Sequence, residues 1–307
     1  MQPIIQPVDK KLIIEELSKQ APVKVTKRLA NEIYIISSTA CPYIMLELGR
    51  LREITFRAAA GGTGKEVDID EYDFLFKHIV LWDPESQEIV GSYRYALMKD
   101  LFDGKNIQSP TGKLFNFSTQ FIDEYLPITI ELGRSFVQPK YQPKVDNKSG
   151  MFSLFNLFSG LEYIVSSNPE MQYLFGKFTM YPSYNVDARN LLLSYLARKF
   201  PDRERLVRPR KELRLRYVKR NIMLLQSIFN QQSFKDEKKI LQTHLSQYGE
   251  YIQPLVDIYM SLSSTMKTFG TANHKEFGDT YETGILININ DIHPEVIERY
   301  RANIKGV

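Results

Sequence analysis

One cysteine, Cys41, stands among 307 residues. An internal disulfide needs two and a thiolate zinc cluster needs more, so both are excluded, and a reducing compartment suits the chain. Cys41 lies in STACPYIM, beside an expected helix start and with no histidine near it in sequence. It reads as a small buried hydrophobe or, less often for such a residue, as an activated nucleophile. Histidine is scarce as well. None of His78, His244, His274 and His293 sits at ligand spacing with the acidic pair Asp70 and Asp73, so no metal is expected. No apolar run approaches the roughly 18 residues of a transmembrane helix. The first residues, MQPIIQPVDKKLIIEELSKQ, show no basic segment followed by an apolar one, so no secretory leader is expected. The expectation is a cytoplasmic protein; any membrane contact would be peripheral, at the inner face.

With 43% hydrophobic and 25% charged residues, the chain can bury one large core, or one core with an appended subdomain. The 18 Tyr and 18 Phe against a single Trp suit a core with apolar channels, though an ordinary core would have the same composition. Net charge is only +4 but unevenly spread. ARKFPDRERLVRPRKELRLRYVKRN (197–221) is opposed by Asp202, Glu204 and Glu212 alone. This stretch fits a solvated helix face or a dock for an acidic protein or anionic headgroups. It lacks the aromatic and glycine interleaving of a single-strand binder, so no nucleic acid is expected as partner.

Asp9 caps a short amphipathic helix, and NEIYIIS (31–37) is strand-like in its β-branched and aromatic content. Pro42 opens a helix in which Met45, Leu48, Arg52 and Phe56 recur at helical spacing. GGTGK (61–65) has no strand before it and no Ser or Thr after Lys65, so it reads as a helix end and loop, not a phosphate loop. Strands follow in FKHIVLWD, EIVGSYRYALM and ITIELGRSFV, then a linker-like 103–113 having intervened before the last of these. MFSLFNLFSGLEYIV is a helix apolar nearly all round, hence buried. MQYLFGKFTM is a strand and SYNVDARNLLLSYLARKF a helix. Beyond residue 221 the pattern is mostly helical, IQPLVDIYMSLSSTMKTFG included, until a final strand YETGILINI. The class is α/β or α+β with a mixed sheet.

Several charges sit where apolar residues belong. Glu131 and Arg134 interrupt the strand ITIELGRSFV, Arg94 lies between Tyr93 and Tyr95, and Arg52 falls on or near an apolar helix face. Removing two charges from water costs several kcal/mol per ion before they attract each other. Strict alternation puts Glu131 and Arg134 on opposite faces of the sheet; a bulge at Gly133 would turn both into one cleft.

Taken in order, Arg52 with Phe56, Asp70 with Asp73, Arg94 after VG, and ELGR at 131–134 resemble the acyl-homoserine-lactone synthases. The match is closer to the hemolysin-like branch of GNAT-fold N-acyltransferases that make glycine and ornithine lipids. RLREITFRAAAGGTGKEVDIDEYD, VGSYRY, ELGRSFVQP and YLFGKFTMYPSY carry that likeness, which runs from about residue 28 onward. It implies a GNAT-like mixed sheet flanked by helices, with residues 1–205 as the acyltransferase core and 206–307 as a helical extension ending in one strand. It also implies transfer of a long fatty acyl group, plain or 3-hydroxylated, to the α-amine of a small amino acid, glycine ahead of ornithine, with no tightly bound cofactor.

In the place of the coenzyme-A phosphate loop stands QPKVDNKSG, with one glycine, Gly150. That departure favours acyl carrier protein over coenzyme A as donor, docked on the basic 198–220 stretch. Phe136, Val137, Ser149, Gly150 and Met151 would hold the donor. An ammonium attacks a thioester only after losing a proton, and a desolvated carboxylate at a cleft wall can take it. Glu131 is the expected base, with Arg134 shaping the site or binding the substrate carboxylate. Arg52 and Arg94 offer bidentate forks for a carboxylate, Asp70 and Asp73 could hold an ammonium or brace those arginines, and Phe56 joins this set. Tyr184, ahead of Tyr181, is where GNAT relatives place a tyrosine acid. An acetyl-CoA-dependent N-acetyltransferase and a non-catalytic GNAT-fold binding module are the competing readings.

Overall fold

The β-branched and aromatic runs become ten strands and the amphipathic runs nine helices among the described residues, 1–142, 150–216, 222–230 and 233–304 of a computed structural model. The strands are β1 (Lys24–Val25), β2 (Glu32–Ser37), β3 (Lys77–Asp83), β4 (Glu88–Leu97), β5 (Phe115–Phe117), β6 (Thr129–Val137), β7 (Tyr173–Met180), β8 (Val207–Pro209), β9 (Lys267–His274) and β10 (Thr280–Asn288). The helices are α1 (Lys10–Ser18), α2 (Pro42–Ala58), α3 (Pro110–Leu114), α4 (Gly150–Ser167), α5 (Val186–Lys199), α6 (Ile222–Phe229), α7 (Phe234–Ser246), α8 (Pro254–Leu262) and α9 (Pro294–Ala302). Eight strands form one sheet in the order β1-β2-β3-β4-β6-β7-β10-β9, antiparallel throughout except for the β6–β7 pair; β5 and β8 make a separate ribbon.

The sheet is buried on both faces, which is why β3 and β4 read as near-continuous apolar runs. Val80 and Trp82 meet α2 through Met45, Leu48 and Phe56 on one face. Ile79, Leu81 and Tyr93 meet Leu157, Phe158 and Ile164 of α4 on the other. Among the described residues, no helix is long and apolar enough to cross a membrane.

The C-terminal third departs from expectation. IQPLVDIYMSLSSTMKTFG is a helix only through Leu262, and its tail enters β9, a strand where none was expected. Strands β9 and β10 extend the main sheet, β10 pairing with β7 over Tyr281–Asn288 and β9 pairing with β10. The segment expected as a helical extension with one final strand, 206–307, thus supplies two strands of the main sheet, β9 and β10. The β-rich KTFGTAN was masked by the helical pattern just before it.

Candidate active site

Two local irregularities in β6 open the sheet. The first is the end of the parallel pairing: β6 and β7 match only from Thr129↔Tyr173 to Glu131↔Phe175. Beyond that point β6 stays bonded to β4 while β7 stays bonded to β10, so a cleft separates the two strands. The second is a bulge. Gly133 pairs with Arg94 and Phe136 with Ser92, so Arg134 and Ser135 together face Tyr93. The residue in the left-handed conformation is Arg134, at φ 52°, not the neighbouring Gly133. A non-glycine residue held there costs about 1–2 kcal/mol, and the bulge returns Arg134 to the face that carries Glu131. Both side chains border one cavity.

On that face lies a closed charge network. Arg52, 2% exposed, donates from Nη1 and Nη2 to the two carboxylate oxygens of Asp73 at 2.9 and 2.7 Å, and from Nε to the Asp68 carbonyl at 3.0 Å. Arg94 donates from Nη1 to Asp73 at 2.7 Å and through both Nη atoms to Asp70 at 2.6 and 3.0 Å. Arg134 lies 3.1 Å from Asp68 and 3.5 Å from Asp70, with its guanidinium 4.3 Å from the Phe277 ring centre. Asp70 caps a short 3-10 turn and Asp73 closes the capping box by accepting the Asp70 N–H at 2.9 Å. Burial alone would push the Asp73 carboxyl up; Arg52 and Arg94 hold it far below the ordinary range instead. Asp70 is likewise depressed, burial being outweighed by Arg94. Pairing of this kind mainly fixes geometry, because desolvation offsets most of the attraction. Here it ties α2, the Asp68–Asp73 loop, β4 and β6 to one another.

The cavity beside this network has a volume of about 80 Å³, where one water needs roughly 10–15 Å³ on the same measure. One wall is apolar, with Phe158, Leu161, Leu255 and Tyr259. The other carries Glu131, Arg134, Lys177 and Glu282. Glu131 is 1% exposed; its Oε1 accepts from the Thr111 hydroxyl, while its Oε2 is buried and has no hydrogen-bond partner among the described residues. Lys177 donates to the same Thr111 hydroxyl at 2.9 Å. Burial pulls the Lys177 ammonium below its ordinary range against the opposing pull of Glu131 and Glu282. Glu282 accepts from Thr179 at 3.0 Å and lies 3.7 Å from His274. Among the described residues, no group of three or more His, Cys, Asp or Glu side chains could hold a metal ion.

A family model described as an acetyltransferase (GNAT) domain matches residues 51–147, the segment from α2 through β6 that carries this network. The chain is 46% identical over 298 residues to a glycine N(alpha)-acyltransferase of Phocaeicola vulgatus, covering 95% of this chain and 90% of that protein. It is 47% identical over 298 residues to a glycine N(alpha)-acyltransferase of Bacteroides thetaiotaomicron, covering 95% and 87%. The chain belongs to the glycine N(alpha)-acyltransferase family. It is an acyltransferase of GNAT fold. Among solved structures it is similar to a CoA-dependent acyl-homoserine lactone synthase described with SAM and isopentyl-CoA, at TM-score 0.37 and 9% identity, over 89% of this chain and 88% of that one.

In this acyltransferase the expected site residues do not all meet at the cavity. Glu131, Arg134, Arg94 and Phe56 border the cavity together. Arg52, Asp70 and Asp73 do not: they brace one another behind it, so Arg52 presents no open fork and the two aspartates no open ammonium site. Arg94, though at the wall, has both Nη atoms engaged by Asp70 and Asp73. Phe136 and Val137 pack in the core, Phe136 edge-on to Phe56, so neither borders the cavity as a donor-binding residue would. Tyr184 is corrected outright: its hydroxyl donates to the Tyr251 carbonyl at 3.0 Å, away from the cleft. Ser149 lies outside the described residues, and so do the contacts of Gly150 and Met151, which open α4.

Thr111, Lys177, Glu282 and Asp68 escaped the sequence reading. Lys177 carried the same signal as Glu131, a lone charge in an apolar strand, LFGKFTM. Thr111 sat in a stretch read as linker, where Ser109 followed by Pro110 is a helix start: Ser109 caps α3 by accepting the Gly112 N–H at 3.2 Å.

Proposed function

We propose that this acyltransferase moves a long fatty acyl group, plain or 3-hydroxylated, from acyl carrier protein to the α-amine of glycine, giving a lyso amino-acid lipid. The observation that carries this reading is Glu131 Oε2, a buried carboxylate oxygen without a partner on the wall of a cavity large enough for a small amino acid. The names of the two relatives favour glycine over ornithine as acceptor. The apolar wall of Phe158, Leu161, Leu255 and Tyr259 suits an alkyl chain.

Glycine enters as a zwitterion. Its ammonium gives a proton to Glu131 Oε2, while Thr111 keeps the carboxylate aligned through Oε1. The free amine attacks the thioester carbonyl, forming the C–N bond and a tetrahedral oxyanion. Main-chain N–H groups at the Arg134 bulge stabilise that oxyanion. Collapse breaks the C–S bond, the attacking nitrogen gives its second proton to the leaving thiolate, whose conjugate acid has a pKa near ~8.5, and Glu131 returns the first proton to solvent. Arg134 shapes the oxyanion side of the site. The exposed cations Arg203, Arg205, Arg208, Lys211 and Arg214 receive the acidic carrier. Arg210, in the same stretch, donates to the Gly112 carbonyl at 2.8 Å, which links that surface to the Thr111 wall. The lipid product leaves at the inner face of the membrane.

The test offers purified protein long-chain acyl carrier protein, long-chain acyl-CoA and acetyl-CoA in turn, each with glycine or ornithine, and identifies products by mass spectrometry. N-acylglycine from the carrier-bound acyl group is expected. Glu131→Gln, which retains an acceptor for Thr111, should lower turnover by about 10²–10⁴-fold at unchanged folding. Turnover from acetyl-CoA alone would overturn the long-chain reading, and an active Glu131→Gln the assignment of the base.

A further inference from the structure

We propose that Lys177 is the residue that recognises the carboxylate of the acceptor amino acid, an inference that rests on the N-acyltransferase reading of this cavity. Among the described residues, four basic side chains line the cavity. Arg94 is committed to Asp70 and Asp73, Arg134 to Asp68 and Asp70, and His274 lies beside Glu282. Lys177 is the exception: among the described residues it has no carboxylate within ion-pair distance, and Thr111 is its one hydrogen-bond partner. A half-buried ammonium that touches no carboxylate directly is favoured when something that enters the cavity supplies one.

Thr111 defines the direction of that interaction. A hydroxyl has one proton to give, and Thr111 gives it to Glu131, so it must accept from Lys177. Lys177 thus spends one N–H on Thr111 and keeps two for a ligand. Glu131 and Lys177 are held two hydrogen bonds apart by a single side chain, one an unpaired acceptor and the other an unpaired donor. An α-amino acid presents the complementary pair, ammonium and carboxylate, on one carbon. Seated between them, its ammonium meets Glu131 Oε2 and its carboxylate meets Lys177. A primary amine without a carboxylate would satisfy only half of this pair.

The strand split explains why Lys177 is free to do this. β7 leaves β6 after Phe175, and Lys177 is the next residue on the same face, the first to project into the gap. The opposing charges, Glu131 from β6 and Glu282 from β10, stand on either side of it.

The experiment measures steady-state kinetics with glycine and with glycinamide, using one long-chain acyl donor, for the unmodified protein, Lys177→Met and Lys177→Arg. The unmodified protein should prefer glycine by about 10–100-fold in kcat/KM, the worth of one charge-assisted contact. Lys177→Met should raise KM for glycine by a similar factor, leave KM for glycinamide unchanged and so erase the preference. Lys177→Arg should restore part of it. The proposal is overturned if Lys177→Met keeps the preference, or if it lowers kcat equally for both acceptors, the signature of a base. Should Lys177→Met fail to fold, the unmodified protein still decides: equal use of glycine and glycinamide overturns the proposal. Absence of transfer to any amine from any thioester would instead refute the acyltransferase reading of the cavity.

Discussion

Replacing Asp73 by Asn probes the charge network with almost no change in shape. Asp73 is fully buried and accepts four hydrogen bonds: two from Arg52, one from Arg94 and one from the Asp70 main chain. The amide keeps one acceptor oxygen and turns the other into a donor. That donor would face other donors. Arg52 and Arg94, both about 2% exposed at the side chain, would share what Asp68 and Asp70 can still offer. Removing one partner of a buried ion pair costs about 3–5 kcal/mol, a large share of the roughly 5–15 kcal/mol that holds a protein folded. At about 2–4 °C per kcal/mol for a chain somewhat smaller than this, the melting temperature should fall by at least about 6 °C. Urea unfolding followed by circular dichroism is the assay, with the midpoint falling and the m-value unchanged. Asp70→Asn is the control: its side chain is 20% exposed, so water replaces part of what is lost and the cost should be less than half as large. A loss below about 1 kcal/mol for Asp73→Asn would refute the reasoning, since it would mean that solvent reaches the network.

Burial, with the Arg52 charge beside it, lowers the His78 imidazole from 6.5 to about 4. Between those values the unfolded chain binds more protons, so the stability from His78 is complete above pH 6.5 and is lost as pH falls toward 4, about 3 kcal/mol in all. His78→Gln should remove that part of the slope in urea midpoints measured across this range. Gly112→Ala would place a methyl 1.9 Å from the Ile107 carbonyl oxygen. α3 must then shift and carry Thr111 away from Glu131 and Lys177, costing about 1–3 kcal/mol and most of the acyl transfer; full activity would show that the Thr111 bridge is dispensable. Tyr184→Phe should cost about 1 kcal/mol through the lost bond to Tyr251 and leave turnover within about twofold, whereas a large loss of turnover would return that tyrosine to the chemistry.

The central strands were legible because burial on both faces leaves a simple trace, an apolar run bounded by turn residues. FKHIVLWD and EIVGSYRYALM carry it, and β3 and β4 follow them within a residue or two. β9 was not legible: eight residues rich in Thr and small side chains follow a strongly apolar helix, and short-range pattern has no means of separating the two. At the site, a charge inside an apolar run was the informative signal. It found Arg52, Arg94, Glu131 and Arg134, and applied evenly it would have found Lys177 too. It could not tell a charge that faces a cavity from one that faces another charge. Arg52 and Glu131 look alike in sequence, yet one is saturated by Asp68 and Asp73 and the other keeps a bare oxygen.

The amino-acid sequence by itself determined which segments are buried, the ordered set of out-of-place charges, and through their order the family, because side-chain periodicity and residue type are local properties. Only the tertiary structure decided that Asp68, Asp70 and Asp73 neutralise three arginines from three elements, that β6 and β7 part after Glu131, and that Thr111 joins Glu131 to Lys177 across the gap. Those depend on which distant segments pair, and on a one-residue bulge that turns Arg134 to the same side of the sheet as the base.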